Sequence, residues 1–292
     1  MPMDVEQVLN YKFKTIDFDW DADKVILYHL GLGAGADWLN PDELRYTYEK
    51  KLQVLPSYGV LPSFDAMPDI VGSDLLAKVN KHKIVHGEHE LVVHQTLPTR
   101  ARVSTESQVE GVYEKGSGVL LVIESDTRLK GSGDLLLTNR WSLFLRGEEA
   151  DTGAVAPDTG VNYPDRDPDY VHETPIIPQL SQIYRLSGDK VAFHVDPEVA
   201  KMAGFDTPIM HGLCTYGVIC KAVVDSCAGG DASRLSSFRG RFANPAFCGQ
   251  TIVTRIWKDR DGYLVQAESK ETGQVLFTAS EAKFKDLSIE LE

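Results

Sequence analysis

Hydrophobic and polar residues alternate along several stretches of the chain. Thr251–Trp257 (TIVTRIW) and Tyr263–Ser269 (YLVQAES) both show this period of two, which is typical of antiparallel strands with one buried face. Similar apolar segments, separated by Gly-containing turns, follow one another between residues 97 and 145. The pattern therefore predicts long antiparallel strands in both halves of the chain.

Apolar residues recur at helical spacing in one segment, HGLCTYGVICKAVVDSC, which begins at His211. The positions that match this spacing are Leu213, Val218, Ile219, Ala222 and Val223. A shorter helix is predicted just before it, with Asp196 as its N-cap, Pro197 at its first position and Gly204 at its end. We expect each half of the chain to combine one helix with several long strands.

The two halves of the chain share a motif. Residues 28–43 align without gaps with residues 184–199, and a Tyr, a Leu and a Pro coincide. Alternating strand segments follow the motif in both halves, so the simplest interpretation is a duplicated fold. Two unrelated α+β domains are the alternative, because a short alignment can arise by chance.

The alignment also separates the halves by their chemistry. Asp189 falls on Gly33, and His194 falls on Trp38. The first repeat therefore keeps the framework but lacks the titratable pair.

A segment rich in Gly, Pro and Asp joins the two repeats, which is typical of a surface linker. The expected organisation is a non-catalytic N-terminal repeat at 1–150, a linker at 151–175 and a catalytic C-terminal repeat at 176–292.

Composition limits the class of protein. The chain has 292 residues, of which 42% are hydrophobic, and this is enough for two domains with their own cores. A net charge of −13 argues against a nucleic-acid-binding surface. No apolar run approaches the roughly 18 residues of a membrane span, and the first residues lack the layout of a secretion signal. We expect a soluble protein that is not secreted.

The cysteines lie in the second half of the chain, at positions 214, 220, 227 and 248, and form no C-x-x-C pair. Free buried thiols are the favoured interpretation over a metal site.

The candidate chemistry lies between Asp189 and Gly212. A carboxylate and an imidazole precede a helix start, whose free N–H groups and partial positive charge stabilise an oxygen that gains negative charge. Each feature alone is more often structural, because SGD is a common turn and a histidine among apolar residues is commonly part of a core. Together they supply a proton acceptor, a proton donor and a group that polarises a carbonyl. A dinucleotide loop at GLGAG (31–35) is disfavoured, because the full G-x-G-x-x-G pattern is missing.

Several motifs resemble one enzyme family. YRLSGD (184–189), HVDPE (194–198), AGF (203–205) and, most specifically, PIMHGLCTYG (208–217) are similar to the MaoC-like, R-specific type-two enoyl-CoA hydratases. This family includes the hydratase part of the peroxisomal multifunctional β-oxidation enzyme, and the resemblance extends over nearly the whole chain. It implies an α+β double hot-dog fold, in which two curved antiparallel sheets each wrap round a long helix.

The resemblance also implies a reaction and its residues. Water adds to trans-2-enoyl-CoA to give (3R)-3-hydroxyacyl-CoA, Asp189 and His194 handle the water and its protons, and the Gly212 N–H binds the thioester oxygen. Residues that contact the substrate would then be Val191, Phe193 and His211. The resemblance further implies acyl-CoA as substrate, no cofactor or metal, an N-terminal repeat that shapes the acyl pocket, and a homodimer. The compartment would be cytoplasmic in a bacterium and peroxisomal in a eukaryote.

One position departs from the family pattern. The family motif resembles D-x-N-P-L-H, whereas this chain has DKVAFH, so Val191 replaces an Asn that is expected to hold the water. Losing one such contact would slow the reaction on the order of 10- to 1,000-fold. Two other functions therefore stay open: an acyl-thioester-binding protein with weakened catalysis, and a hot-dog thioesterase.

Overall fold

The fold is built on one ten-stranded antiparallel sheet. A computed structural model describes residues 3–77 and 79–285, apart from the side chain of His82. The strands are β1 (Ile16–Trp20), β2 (Ile84–Val93), β3 (Ala101–Lys115), β4 (Gly118–Leu129), β5 (Leu135–Arg146), β6 (Tyr170–Pro175), β7 (Leu235–Phe242), β8 (Thr251–Asp259), β9 (Gly262–Ser269) and β10 (Val275–Phe284). Their order across the sheet is β1-β3-β4-β5-β2-β7-β10-β9-β8-β6.

Helices connect the strands mainly before β2 and before β7. The α-helices are α1 (Val5–Leu9), α2 (Ala22–Leu30), α3 (Leu44–Thr47), α4 (Val60–Phe64), α5 (Met67–Gly72), α6 (Leu180–Tyr184), α7 (Pro197–Met202) and α8 (Gly212–Ala228). Short 3-10 helices lie at Pro41–Glu43, Glu49–Lys51, Pro56–Gly59, Asp74–Leu76, Lys81–Lys83, Arg185–Ser187, Ala192–His194 and Ala232–Arg234.

The strand order confirms the duplicated fold. From the edge to the middle, the first half runs β1-β3-β4-β5-β2 and the second half runs β6-β8-β9-β10-β7. Each strand of one half has a counterpart five strands later, and the halves meet where β2 pairs with β7, with His89 opposite Gly240. Tyr28 and Tyr184, which coincide in the sequence alignment, are both buried, and their ring centroids are 5.8 Å apart. The architecture is the double hot-dog that the sequence implies.

The central helix of the second half agrees with its apolar pattern. Helix α8 has 17 residues, and most of its side chains are buried. It also lies close to the first half, because a side-chain carbon at Gly217 would be only 2.6 Å from Leu32. One turn further along the helix, Lys221 forms an ion pair with Glu43 of the first half at 2.8 Å. Both halves therefore hold α8 in place.

The predicted short helix is also present as α7, where the Asp196 carboxylate accepts hydrogen bonds from the N–H groups of residues 198 and 199.

The first half departs from the expected long helix. The segment that corresponds to α8 is divided into a 3-10 helix, Pro56–Gly59, and the short helices α4 and α5. Pro68 explains the interruption, because proline has no N–H to donate and its ring clashes with the carbonyl four residues earlier. That carbonyl belongs to Phe64, the last residue of α4.

The linker segment is shorter than expected from composition. Residues 151–169, all of them described, form no helix or strand, but 170–175 form β6, which pairs with β8 at one edge of the sheet. The last part of the expected C-terminal repeat, 286–292, lies outside the described residues.

All four cysteines are free, and Cys214 and Cys220 are buried. Within the described chain, no helix has both the length and the apolar character that a bilayer span requires.

Candidate active site

Asp189 lies in the turn between α6 and α7. Gly188, directly before it, has a φ of +143°, a backbone conformation that side-chain-bearing residues rarely adopt. The turn closes on itself, because the Val191 N–H donates to Asp189 Oδ1 at 3.0 Å. Burial raises the pKa of the Asp189 carboxyl above its ordinary value, and this hydrogen bond and the nearby His194 act in the opposite direction. The local backbone therefore fixes the carboxylate and leaves its other oxygen for a ligand.

His194 lies at the end of the 3-10 turn Ala192–His194 and is buried. Its Nδ1 lies 2.8 Å from the main-chain oxygen of Ile209. A carbonyl oxygen only accepts hydrogen bonds, so Nδ1 carries the proton and Nε2 keeps a lone pair in the neutral ring. Burial lowers the pKa of His194, so the neutral ring is favoured. The side chain is thus oriented as a proton acceptor.

His211 completes the group as the residue that precedes α8. Its ring stacks on that of His194, with centroids 3.9 Å apart and an interplanar angle of 25°. It is fully buried, and neither ring nitrogen makes a hydrogen bond of good geometry to the described residues. Burial, with a smaller contribution from the neighbouring His194, lowers the pKa of His211 to about 3, and the nearby main chain of Asp189 acts in the opposite direction. A ring nitrogen of each histidine and an oxygen of Asp189 all lie within 4.8 Å of one another.

Helix α8 begins beside this group, at Gly212. No side chain of the described residues caps the helix start, so its first N–H groups have no side-chain partner. A side-chain carbon at Gly212 would lie 3.6 Å from the Phe242 ring, an ordinary contact distance. Packing within the protein therefore does not require glycine here.

The corresponding helix start of the first half is closed. The Leu55 N–H donates to Nε2 of His29 at 3.2 Å, and Nδ1 of His29 is 2.8 Å from the Tyr46 main-chain oxygen. Leu55 precedes this helix as His211 precedes α8, and the first helical residue is Pro56, which has no N–H where the second half has that of Gly212. The predicted loss of chemistry from the first repeat agrees with this arrangement, because Trp38, the counterpart of buried His194, is 80% exposed.

Comparisons with known proteins agree with both halves of this description. Residues 18–147 match a sequence family described as the MFE-2 hydratase 2 N-terminal domain, and residues 160–279 match the MaoC like domain. An enoyl-CoA hydratase of Mycobacterium tuberculosis is 36% identical over 89% of this chain and 91% of its own length. A probable enoyl-CoA hydratase 2 of Dictyostelium discoideum is 32% identical over 97% of each chain.

This chain belongs to the MaoC-like hydratase family. Solved structures agree with the assignment. A MaoC-like dehydratase from Phytophthora capsici is 31% identical, with a TM-score of 0.84 over 96% of this chain and 98% of its own. The full-length peroxisomal multifunctional enzyme type 2 of Drosophila melanogaster is also 31% identical, with a TM-score of 0.80 over 93% of this chain. This chain covers only 48% of that longer protein.

In this MaoC-like chain, the structure brings together four of the residues expected from the sequence: Asp189, His194, His211 and Gly212. Val191 contributes its main-chain N–H, while its side chain is 45% exposed. Phe193 packs on the His194 ring, with centroids 4.2 Å apart. Direct contact of Val191 and Phe193 with a substrate stays a prediction.

Sequence reasoning missed an aromatic wall, a row of ring side chains that runs from Gly188, next to Asp189, to Gly212 at the start of α8. A side-chain carbon at Gly188 would lie 3.9 Å from Phe64. From Phe64 the ring contacts continue to Trp141, then to His86 and then to Phe242, with centroid distances of 6.3, 4.7 and 4.9 Å. Phe242 is the ring beside Gly212, so these four side chains form a continuous wall.

The first half supplies most of this wall, which explains why no local sequence pattern reveals it. Phe64, His86 and Trp141 are at least 48 positions before Asp189 in the sequence. His86 reaches Phe242 because β2 lies beside β7 in the sheet, and Trp141 and Phe64 extend the row through their ring contacts. The one local signal is Gly87, at a register shift in β2 that places His86 on the same face as His89.

Proposed function

We propose that this chain adds water to the double bond of trans-2-enoyl-CoA, giving (3R)-3-hydroxyacyl-CoA, and that it also runs the reverse dehydration. The reaction belongs to the β-oxidation of fatty or related acyl chains. Relatives named as enoyl-CoA hydratases and as a 3-hydroxyacyl-thioester dehydratase support it. The observation that carries the proposal is the convergence of Asp189 and His194 on the uncapped start of α8.

Asp189 and His194 hold the water. Both present an acceptor: a carboxylate oxygen and, because Nδ1 is engaged by Ile209, the Nε2 lone pair. A water that donates about 2.8 Å hydrogen bonds to two acceptors needs them about 4.5 Å apart, which agrees with ligand atoms lying within 4.8 Å of one another. Because both protons of the water are then bonded, its oxygen lone pair is left to attack C3.

The start of α8 activates the double bond. The Gly212 N–H binds the thioester oxygen, so electron density moves from C3 toward that oxygen. As the water oxygen bonds to C3, one of its O–H bonds breaks and the proton passes to the Asp189–His194 pair. The negative charge reaches the thioester oxygen as an enolate, and C2 then takes the proton from the pair. Water supplies both the hydroxyl and the new C2 hydrogen, so the reaction balances without a cofactor.

The N-terminal repeat, 1–150, shapes the acyl pocket in this proposal. Phe64 and His86 are only partly buried and line the same wall as Phe242. The central helix of the N-terminal repeat is divided. Within the described residues, the uncapped helix start beside Asp189 and His194 belongs to the second half. The C-terminal repeat carries the chemistry, and an acyl chain extends along the aromatic wall.

Other expectations for the family follow as predictions. The family resemblance favours a homodimer, which sedimentation equilibrium would test. Relatives named as peroxisomal support a peroxisomal location in a eukaryote, and a cytoplasmic one is expected in a bacterium.

A direct assay tests the proposed function. The purified chain is mixed with crotonyl-CoA, and the loss of enoyl absorbance is followed beside a free-thiol assay. We expect absorbance to fall without thiol release, and chiral analysis to identify the (3R) alcohol. Thiol release would instead identify a thioesterase, and no change in either signal would identify a binding protein without efficient catalysis.

A further inference from the structure

We propose that Arg185 is a positioning residue of the site, whose positive charge keeps the Asp189 carboxylate ionised and able to take a proton from the reacting water. The role in hydration rests on the proposed function, whereas the electrostatic effect on Asp189 does not. Arg185 begins the 3-10 turn Arg185–Ser187, and its main-chain oxygen accepts the Gly188 N–H at 3.3 Å. The arginine therefore belongs to the turn that leads directly into Asp189.

The charge of Arg185 is not neutralised by a neighbouring carboxylate. The salt bridges of the described residues do not include Arg185, and its buried Nε has no hydrogen-bond partner among those residues. A buried N–H without a partner is unfavourable, so local packing and hydrogen bonding do not explain an arginine at this position. A positive charge that no contact neutralises acts on its surroundings through space instead.

The other titratable groups around Asp189 come from three elements, and none of them is a cation at neutral pH. Burial raises the pKa of Tyr184 in α6 and lowers the pKa of His194 and of His211, which precedes α8. Burial also raises the pKa of the Asp189 carboxyl, and the charge of Arg185 is one of the influences that lower it. Without this cation the buried carboxyl would be protonated more readily and could no longer accept the proton of the water.

The first repeat supports the pairing of these two charges. In the alignment of the repeats, His29 falls on Arg185 and Gly33 falls on Asp189. Burial lowers the pKa of His29 to about 4, so the first repeat has a neutral ring and no carboxylate at these two positions. The cation and the carboxylate therefore occur together, in the repeat to which the chemistry is assigned.

The same comparison indicates the direction of the Arg185 side chain. His29 reaches the residue before its own central helix, where its Nε2 accepts the Leu55 N–H at 3.2 Å. His211 has the equivalent place before α8. A side chain at position 185 is thus directed toward His211, and this agrees with the pKa of that ring, which burial lowers most and the charge of Arg185 lowers further.

The pH dependence of kcat/KM tests the role in hydration. In Arg185→Gln the acid limb should move up by about 1 pH unit, because a nearby opposite charge changes a carboxyl pKa by roughly 1 to 3. Raising the pH should then restore most of the lost rate, which it would not do after a purely structural loss. Arg185→Lys keeps the charge and should keep the acid limb near its wild-type position.

Lys190→Gln is the matched control, because Lys190 is exposed and loses the same charge directly beside Asp189. Its acid limb should not move. An unchanged acid limb in Arg185→Gln, a loss of rate that no pH restores, or an equal change in the control would overturn the proposal. Arg185→Met removes the same charge and replaces Arg185→Gln if that variant does not fold.

Carboxyl ¹³C NMR measures the ionisation of Asp189 without any turnover. The Asp189 signal of labelled protein is assigned by its absence from Asp189→Asn. Its titration midpoint should lie at higher pH in Arg185→Gln than in the wild type and in Lys190→Gln, and equal midpoints would overturn the proposal. If the chain does not hydrate enoyl-CoA at all, this titration still decides the effect of Arg185 on Asp189, so the two proposals fail separately.

Discussion

Val191 is the residue of the site that departs most clearly from the family motif. Its side chain is 45% exposed, and its N–H already holds Asp189. An Asn at this position would stay hydrated when it does not contact the reacting water, so a large loss of stability is not expected. The amide can add a hydrogen bond to a water that is otherwise ordered only by Asp189 and His194.

We therefore predict that Val191→Asn raises kcat and leaves KM nearly unchanged, since the added contact matters most as the water attacks. Steady-state kinetics beside thermal unfolding would check it. A variant of unchanged Tm with equal or lower kcat would show that the valine suits the natural task of this protein.

The pH profile should report the basic forms of Asp189 and His194. Burial lowers the pKa of His194 below 6.5 and raises that of Asp189 above 3.8. A base with a lowered pKa stays unprotonated to lower pH, so kcat/KM should be level near neutrality and fall only on acidification below pH 6.5. The measurement is kcat/KM from pH 4.5 to 8.5. Activity that rises below pH 6 would show that a protonated group starts the reaction.

At the scale of elements, the proposed mechanism places the thioester oxygen at the start of α8. The Gly212 N–H has no side-chain cap, whereas the corresponding residue of the first half is Pro56, which has no N–H. A methyl group at Gly212 would fit beside Phe242 in the free protein, but it would occupy the approach of the thioester.

Gly212→Ala should therefore lower kcat/KM at least tenfold without lowering Tm, because alanine is the better helix former. Kinetics and thermal unfolding of the same preparation would check it. Unchanged activity would place the thioester oxygen elsewhere.

The elements also show how far the sequence alone could lead. Alternating patterns predicted the strands, helical spacing predicted α8, and Asp196 and Pro197 correctly marked the start of α7. The division of the first central helix was missed, although Pro68 carries a physical signal for it. The aromatic wall was not predictable, because the ring contacts among Phe64, Trp141 and His86 join residues far apart in the sequence and leave no local pattern.

At the scale of the whole molecule, the proposed function assigns the chemistry to the second half and the shape of the acyl pocket to the first half. The aromatic wall, built mainly from the first half, joins Gly188 to Gly212. We therefore predict that acyl chains longer than four carbons are accepted, and a steep fall of activity beyond crotonyl-CoA would contradict this role of the first half.

Phe64→Ala tests the same role. Truncating a phenylalanine removes up to about 3 kcal/mol of apolar burial, so KM for a ten-carbon enoyl-CoA should rise several-fold while KM for crotonyl-CoA changes little. Phe144→Ala is the control, because the phenylalanine of β5 alternates with inward-facing Leu143 and Leu145 and so lies on the other face of the sheet. An equal effect in the control would contradict the assignment.

The most direct test of the central claim is the hydration rate of Asp189→Asn and His194→Gln with trans-2-enoyl-CoA. Both substitutions keep size and shape similar, and both residues line a site instead of supporting a core. We predict that each variant loses most of its kcat, while circular dichroism and Tm stay close to those of the wild type. Turnover near the wild-type rate in either folded variant would contradict the claim that Asp189 and His194 carry out the hydration.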